Sequence, residues 1–167
     1  MEKYVFREYD DKYPEYFEEE KKKLKKVLGN VEIEHFGSTS VPRLGGKGII
    51  DILVAVEKDN EIIKSVIKKM ERAGYNYRPL GGSEDRWFFR QDYNGRRVHI
   101  HLTYNNSKSW LGNLGVRNYL RKNKKAREEY TRIKKEGSKI CKTDGEIYQA
   151  HKKPFIERIE KLALKEK

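Results

Sequence analysis

The sequence predicts an α/β (α+β) fold, in which a mixed β-sheet is flanked by helices and covered by a helical C-terminal part. Segment 49–56 is an apolar run of β-branched residues interrupted by one acid, Asp51, as expected for a strand buried on both faces. Two strand-like segments within residues 87–104 are joined by Asn94-Gly95, a dipeptide typical of tight hairpin turns. The alternation of helix and strand patterns before them is typical of α/β domains.

The first two thirds of the chain supply the predicted sheet and the helices beside it. Pro14, an acidic start and a basic end predict a first helix that stops before Gly29. A short alternating strand follows, and the glycine-rich stretch after it holds Pro42 and must be a loop. In chain order we expect a helix over 11–28, a strand over 31–36, a loop over 37–48, the candidate central strand over 49–56, a helix over 61–73, and hairpin strands over 87–92 and 96–104.

The last third of the chain is predicted to be a helical subdomain or cap on the sheet. An apolar stripe begins at about residue 113, and helical patterns cover 126–136 and 147–164. A chain of 167 residues suits one domain. We therefore expect a single domain over 1–167, with its sheet at about 31–104 and its helical part at about 109–167.

The composition narrows the classes of partner. No apolar run approaches the roughly 20 residues needed to cross a bilayer, so we expect a cytoplasmic protein without a membrane partner. Cys141 is the only cysteine, which makes an intramolecular disulfide impossible and a thiolate zinc site unfavourable. The net charge of +12 favours phosphates, nucleotides, RNA or other acidic partners.

The loop after the first strand is the candidate phosphate site. Glycine lets a backbone approach a ligand closely, and exposed N–H groups and short hydroxyls donate to phosphate oxygens. The candidate ligands are Gly37, Ser38, Thr39, Ser40 and Lys47, with Arg43 as a further cation. Because the same residue types are common in plain turns, the loop alone does not decide between the two interpretations.

Spaced motifs recur from residue 34 to residue 156. They are Glu34-His35-Phe36-Gly37-Ser38-Thr39-Ser40-Val41-Pro42, Lys47, Ile49-Ile50-Asp51-Ile52-Leu53-Val54, Arg90, His99-Ile100-His101-Leu102, Tyr119-Leu120-Arg121, Tyr130 with Lys134, and Tyr148 with Lys152-Lys153-Pro154-Phe155-Ile156. Together they resemble the signature of the GrpB family. The resemblance implies a nucleotidyltransferase-like fold, related to that of polymerase β and the aminoglycoside nucleotidyltransferases. It also implies an association with a cofactor kinase, because GrpB-like domains occur fused to dephospho-CoA kinase.

The resemblance further implies a metal site on the predicted strand 49–56. Active nucleotidyltransferases carry two acids one residue apart on this strand, and both bind divalent metals. Here the first position is Asp51, as the candidate catalytic residue, and the second is Leu53, which cannot ligate a metal. The region of His99 and His101 stands where the third acid is expected.

This departure leaves two interpretations open. Loss of the carboxylates removes most of a magnesium cage, which favours an inactive binder. Alternatively, Asp51, His99 and His101 hold one divalent metal, for which Mg, Mn and Zn stay open and nitrogen ligands favour zinc, manganese or nickel. A missing carboxylate could also come from elsewhere in the chain, with Glu34, Glu84 and Asp85 as the candidates.

Basic residues at helical spacing are the candidate anion clamps. Three pairs lie four residues apart and so share a helix face: Arg117 with Arg121, Tyr130 with Lys134, and Tyr148 with Lys152. Arg90 next to the hairpin is a further candidate, so the anion-binding set adds Arg90, Arg121, Lys134 and Lys152 to the loop. The alternative is that the tyrosines belong to the core and the cations are solvated.

Three functional hypotheses follow from these observations. The first is a nucleotidyltransferase-like enzyme, or a relic of one, that binds a phosphorylated small molecule or nucleotide and serves nucleotidyl or phosphoryl transfer. The second is a non-catalytic nucleotide- or RNA-binding module that has lost the carboxylate cage. The third is a protein-interaction module recruited by a partner such as a cofactor kinase.

Overall fold

The computed structural model describes residues 4–141 and 143–166. Its strands and helices in chain order are α1 Tyr13–Leu28, β1 Glu32–Phe36, β2 Ile50–Val56, α2 Asn60–Arg72, β3 Asn76–Tyr77, β4 Arg86–Tyr93, β5 Arg96–Tyr104, α3 Lys108–Lys122, α4 Lys124–Cys141 and α5 Gly145–Lys165. A mixed sheet with flanking helices and a helical C-terminal part confirms the predicted fold class.

The five strands form one sheet in the order β1-β2-β5-β4-β3. Strands β2 and β5 are parallel, whereas the other neighbours are antiparallel. The middle strand is therefore β5, and the prediction that segment 49–56 is central was wrong. That segment is apolar on both faces because helices cover both sides of the sheet, which a position beside the middle strand is sufficient to allow.

The two faces of the sheet carry different chemistry. On one face the even-numbered residues of β2 and β5, such as Ile52 and Ile100, pack with α1 and α2 in the larger core. On the other face Leu53 packs against Trp110 of α3. Because side chains alternate along a strand, Asp51 lies on this second face.

Local signals explain where the elements begin and turn. The side chain of Asp59 accepts hydrogen bonds from the backbone of residues 61 and 62 and caps α2. Asn94 and Gly95 both have positive φ, 50° and 71°, which confirms the predicted hairpin turn. The predicted start of the helical third, at about residue 113, was too late, because Ser107 caps α3 through the Trp110 amide.

The short strand β3, Asn76–Tyr77, was not predicted, because two residues are too few for an alternating pattern to show. Among residues 4–141 and 143–166, no helix combines the length and apolar character needed to traverse a bilayer.

Candidate functional site

A cavity of about 310 Å³ opens on the second face of the sheet, between β2, β5 and the C-terminal helices. Its polar lining residues are Ser38, Lys47, Asp51, His99, His101, Asn113, Arg117, Lys134, Gln149 and Lys152, and its aromatic ones are Phe36, Tyr130 and Tyr148. The loop serine and the strand acid thus face one cavity, which we call the lysine cavity after the cations described below.

The loop that carries Ser38 is held by its own hydrogen bonds. Thr39 Oγ1 donates to the carbonyl of Ile49 at 2.9 Å, and Ser40 Oγ donates to the carbonyl of Gly37 at 2.6 Å. Both side chains are buried and neither lines the lysine cavity. Of the three predicted hydroxyls, the structure places only that of Ser38 at the cavity wall.

Three potential metal ligands converge at the strand end of the cavity. The register of the parallel strands sets Asp51 beside His99, with all three side chains on one face. One carboxylate oxygen of Asp51 lies 3.5 Å from His99 Nδ1 and 3.9 Å from His101 Nε2. Ligand atoms of a tetrahedral metal at about 2.0–2.1 Å lie about 3.4 Å apart, so small adjustments would let the trio hold one ion.

The histidines also set the ionisation of the acid. Burial alone would raise the pKa of Asp51, yet hydrogen bonds with His101 and His99 outweigh burial and hold that pKa below its usual range. Burial also lowers the pKa of His101 despite the neighbouring carboxylate. A carboxylate anion and an unprotonated imidazole are the forms that bind metals.

The donor set decides which metals fit. One carboxylate with two imidazoles suits zinc or manganese, whereas magnesium prefers oxygen ligands in an octahedral arrangement. Leu53, at the position of the second acid implied by the family resemblance, is fully buried beneath Trp110. The residues present therefore fit a single borderline metal and lack the ligands of a two-metal magnesium centre.

Gly37 allows the loop to pass close to the acid. Its φ is +71°, and a Cβ atom there would lie 2.5 Å from Asp51 Oδ2. We expect Gly37→Ala to cost at least about 2 kcal/mol of stability, because left-handed backbone strain of roughly 1–2 kcal/mol adds to this overlap. Chemical denaturation measures the loss. Gly95→Ala is a matched control, because Gly95 has the same φ of +71° and open space around its Cβ position. Equal losses in the two variants would contradict the close approach of loop and acid.

The opposite wall of the cavity carries three lysines from three elements. Lys134 is 3% exposed, and its Nζ donates to the carbonyl of Gly45. Lys47 and Lys152 each hold their Nζ over the ring of Tyr148, at 5.2 and 4.7 Å from its centroid. In the described part of the chain none of the three ammonium groups has a carboxylate within 4 Å.

Crowding of these cations changes their protonation. Burial lowers the pKa of Lys47 and, more strongly, that of Lys134. Burial and the nearby charge of Lys47 lower the pKa of Lys152 to about 8, although Asp51 acts in the opposite direction. Buried cations without counter-ions are unfavourable unless an anion joins them, so this wall suits a phosphate.

Four other predicted site residues lie away from the cavity lining. Arg90 is paired with Asp92 at 2.8 Å, although its backbone lies opposite His99 in the hairpin. Arg121 donates to the carbonyl of Ser40 and lines a separate groove, which Thr39 and Ser40 also line. The structure therefore brings the lysines, Ser38 and the metal trio together and leaves Arg90, Arg121, Thr39 and Ser40 outside.

The acids considered as replacement ligands do not line the cavity. Glu34 pairs with Arg117 at 2.6 Å. Asp85 accepts hydrogen bonds from the amide and hydroxyl of Ser109, and Glu84 is exposed. Among the described residues that line the cavity, Asp51 is the sole carboxylate.

Two neighbours of the site were not predicted as functional residues. The ring of Phe88 contacts both His99 and His101, at 4.9 and 5.1 Å between ring centroids. Buried His35 lies 2.8 Å from Thr39 Oγ1 and so braces the loop, and burial lowers its pKa to about 4. Counting back from the hairpin turn pairs residue 88 with His101, so the sequence held the signal for Phe88.

Similarities to known proteins agree with this arrangement. The chain matches the family described as GrpB protein over residues 4–162. It is 34% identical over 130 residues to the UPF0157 protein YqkA of Bacillus subtilis, a match that covers 77% of this chain and 38% of that protein. The chain thus spans well under half the length of this relative.

Solved structures extend the comparison to the fold. The conserved protein GrpB from Enterococcus faecalis superposes with a TM-score of 0.83 and 37% identity, over 97% of this chain and 98% of that one. The Cid1 poly(U) polymerase with Mg and 3'-dATP bound superposes with a TM-score of 0.55 and 14% identity, over 79% of this chain and 43% of that one. The second match shows a nucleotidyltransferase-like fold. On the evidence of its motifs, its profile match and its close structural relative, the chain belongs to the GrpB family.

Proposed function

We propose that the lysine cavity binds a phosphorylated small molecule or nucleotide together with one divalent metal. The observation that carries this proposal is the presence of three ammonium groups, without carboxylate partners in the described chain, on the wall facing the Asp51 trio. Ser38 and the lysines would hold phosphate oxygens, while Asp51, His99 and His101 would hold zinc or manganese. The 310 Å³ volume is at the small end of the range for small-molecule sites.

Nucleotidyl or phosphoryl transfer is the reaction class that we propose for this arrangement. Such reactions depend mainly on positioning the phosphate and neutralising its charge, for which the protein offers Lys47, Lys134 and Lys152. A bound metal would supply additional charge neutralisation. The fold shared with Cid1 supports the class of chemistry only, because the identity is 14% and fold does not determine activity.

Removing one cation tests the phosphate half of the proposal. We expect Lys152→Met to weaken binding of adenosine monophosphate by about tenfold or more, because a hydrogen bond to a charged group contributes about 1.5–3 kcal/mol. Isothermal titration calorimetry measures the affinity, with adenosine as the ligand that lacks phosphate. Lys153→Met is the matched control, because Lys153 is the exposed neighbour on α5 and pairs with Glu157.

The same titration has an expected pH dependence. Lys152, with a pKa of about 8, faces Lys47, Lys134, Asp51 and Tyr148. Between pH 7 and 9 the phosphate keeps its charge, since its second pKa is about 6, whereas Lys152 loses its proton. Affinity should therefore fall as pH rises, and less so in Lys152→Met. Equal affinities for adenosine and its monophosphate, or equal effects of the two lysine variants, would contradict the proposal. Absence of any ligand binding would favour the protein-interaction hypothesis.

A further inference from the structure

A second concavity lies on the other side of the loop that follows β1. It has a volume of about 600 Å³, and the loop is shared between the two sites: Ser38 lines the lysine cavity, whereas Thr39 and Ser40 line the second one. The cations that line it are Lys21, Arg43, Arg117, Arg121 and Arg127, and we call it the arginine groove. The proposed function makes no use of it.

The arginine groove has a large excess of positive charge. Arg117 pairs with Glu34, which is the sole carboxylate among the described residues lining the groove. Arg121 donates to the carbonyl of Ser40 at 2.9 Å, and Arg127 donates to the carbonyls of residues 120 and 121. Carbonyl acceptors hold the guanidinium groups in place without neutralising them, so their charge remains available to an anion.

Arg43 at the rim of the groove has an unusual backbone. Its φ is +67°, a left-handed conformation that glycine adopts at lower cost, and its side chain is exposed. Within the described ranges neither Arg43 nor Lys21 has an ion-pair partner. A charged residue therefore occupies a strained position where it makes no contribution to an internal ion pair, as expected for a ligand contact.

The spacing of the charges indicates what the ligand is. The cations come from α1, the loop, α3 and α4, so they follow the length of an open groove and do not surround one point. A groove that distributes cations in this way follows a chain of phosphates better than a single phosphate. The half-buried ring of Tyr9 lines the same groove and offers a surface on which a base can stack.

We propose that the arginine groove binds the phosphodiester backbone of single-stranded nucleic acid. The inference is independent of the ligand proposed for the lysine cavity, because it rests on different side chains. Its test is fluorescence anisotropy with a short single-stranded RNA of mixed sequence, repeated across about 50 to 200 mM salt. Binding by wild-type protein should weaken steeply as salt rises.

The double variant Lys21→Ala, Arg43→Gly removes two groove charges and is expected to fold, because glycine relieves the left-handed strain at residue 43. We expect its RNA affinity to fall by about tenfold or more and the magnitude of its salt slope to decrease by about two, one per lost phosphate contact. The control Lys68→Ala, Lys161→Ala removes the same charge from exposed positions on α2 and α5. Its affinity should change by no more than about twofold if binding is confined to the groove.

Three results would overturn the inference: no RNA binding by wild-type protein, equal weakening by the two double variants, or loss of RNA binding in Asp51→Asn. The first would remove nucleic acid as a ligand, and the second would assign binding to the general positive charge. The third would place RNA in the lysine cavity. Adenosine monophosphate should not displace the RNA, and full displacement would likewise contradict a separate groove.

Discussion

Replacing Asp51 with asparagine is expected to abolish stabilisation of the protein by Zn²⁺ or Mn²⁺. The change removes the one carboxylate of the trio and keeps the shape of the side chain, so His99 and His101 are left as two neutral ligands. A metal at a hundred times its dissociation constant adds about 2.7 kcal/mol to stability. For a chain of this size we expect the wild-type melting temperature to rise by roughly 5–10 °C.

The control for this prediction is Asp11→Asn, which removes one exposed carboxylate outside the lysine cavity. Its melting temperature should rise with metal as it does in the wild type. A metal-dependent rise that survives in Asp51→Asn, or an absent rise in wild-type protein across Zn²⁺ and Mn²⁺, would contradict the assignment of the trio as a metal site. The RNA measurement proposed for the arginine groove would be unaffected by either result.

Introducing an acid at Leu53 is expected to be the most destabilising single change in the sheet. Leu53 is fully buried in a cluster with Phe36, Ala55 and Trp110, so Leu53→Asp loses its packing and buries a polar group without a partner. We expect a loss of about 4 kcal/mol or more, a large share of the roughly 5–15 kcal/mol that stabilises a typical domain. Urea denaturation with and without Mg²⁺ measures it.

The comparison variant is Leu53→Met, which conserves volume and should cost less than about 1.5 kcal/mol. A stable Leu53→Asp protein that gains affinity for Mg²⁺ would show that the cavity still accepts a second carboxylate ligand. That result would contradict the view that α3 has replaced this part of the metal cage with a hydrophobic contact.

Strand chemistry could be predicted from the sequence because local patterns control it. The apolar run around Asp51 and the Asn94-Gly95 turn each specify a strand and a register over a few residues. Alternation then places His99 and His101 on one face, and burial of that strand beside β2 brings the trio together. These inferences needed only the period of two residues in a strand.

Side-chain directions within loops and helices could not be predicted in the same way. Thr39 and Ser40 belong to a hydroxyl-rich motif, yet hydrogen bonds to Ile49 and Gly37 take up their hydroxyls. Arg121 shares a helix face with Arg117, but it contacts the far side of the loop. Which side of a loop a residue faces depends on tertiary packing, and spacing along the chain does not contain that information.

The burial of Lys134 illustrates the same limit. Its spacing from Tyr130 predicted a shared helix face, but not that the ammonium group would lie beneath the surface against the carbonyl of Gly45. The glycines at positions 45 and 46 leave room for this contact, since a Cβ atom on Gly46 would lie 3.3 Å from Lys134 Nζ. Such a close approach depends on how α4 packs against the loop.

The central claim is that a metal at Asp51 and a phosphate at Ser38 and the lysines occupy one cavity. Phosphorus magnetic resonance of adenosine monophosphate in the presence of Mn²⁺ tests it most directly, because a paramagnetic ion broadens the signal of a nearby nucleus. We expect wild-type protein to produce strong broadening that Asp51→Asn abolishes while the nucleotide still binds. If calorimetry shows that Mn²⁺ and the nucleotide both bind the wild type, yet the phosphorus signal is no broader than in the variant, the two ligands do not share a cavity.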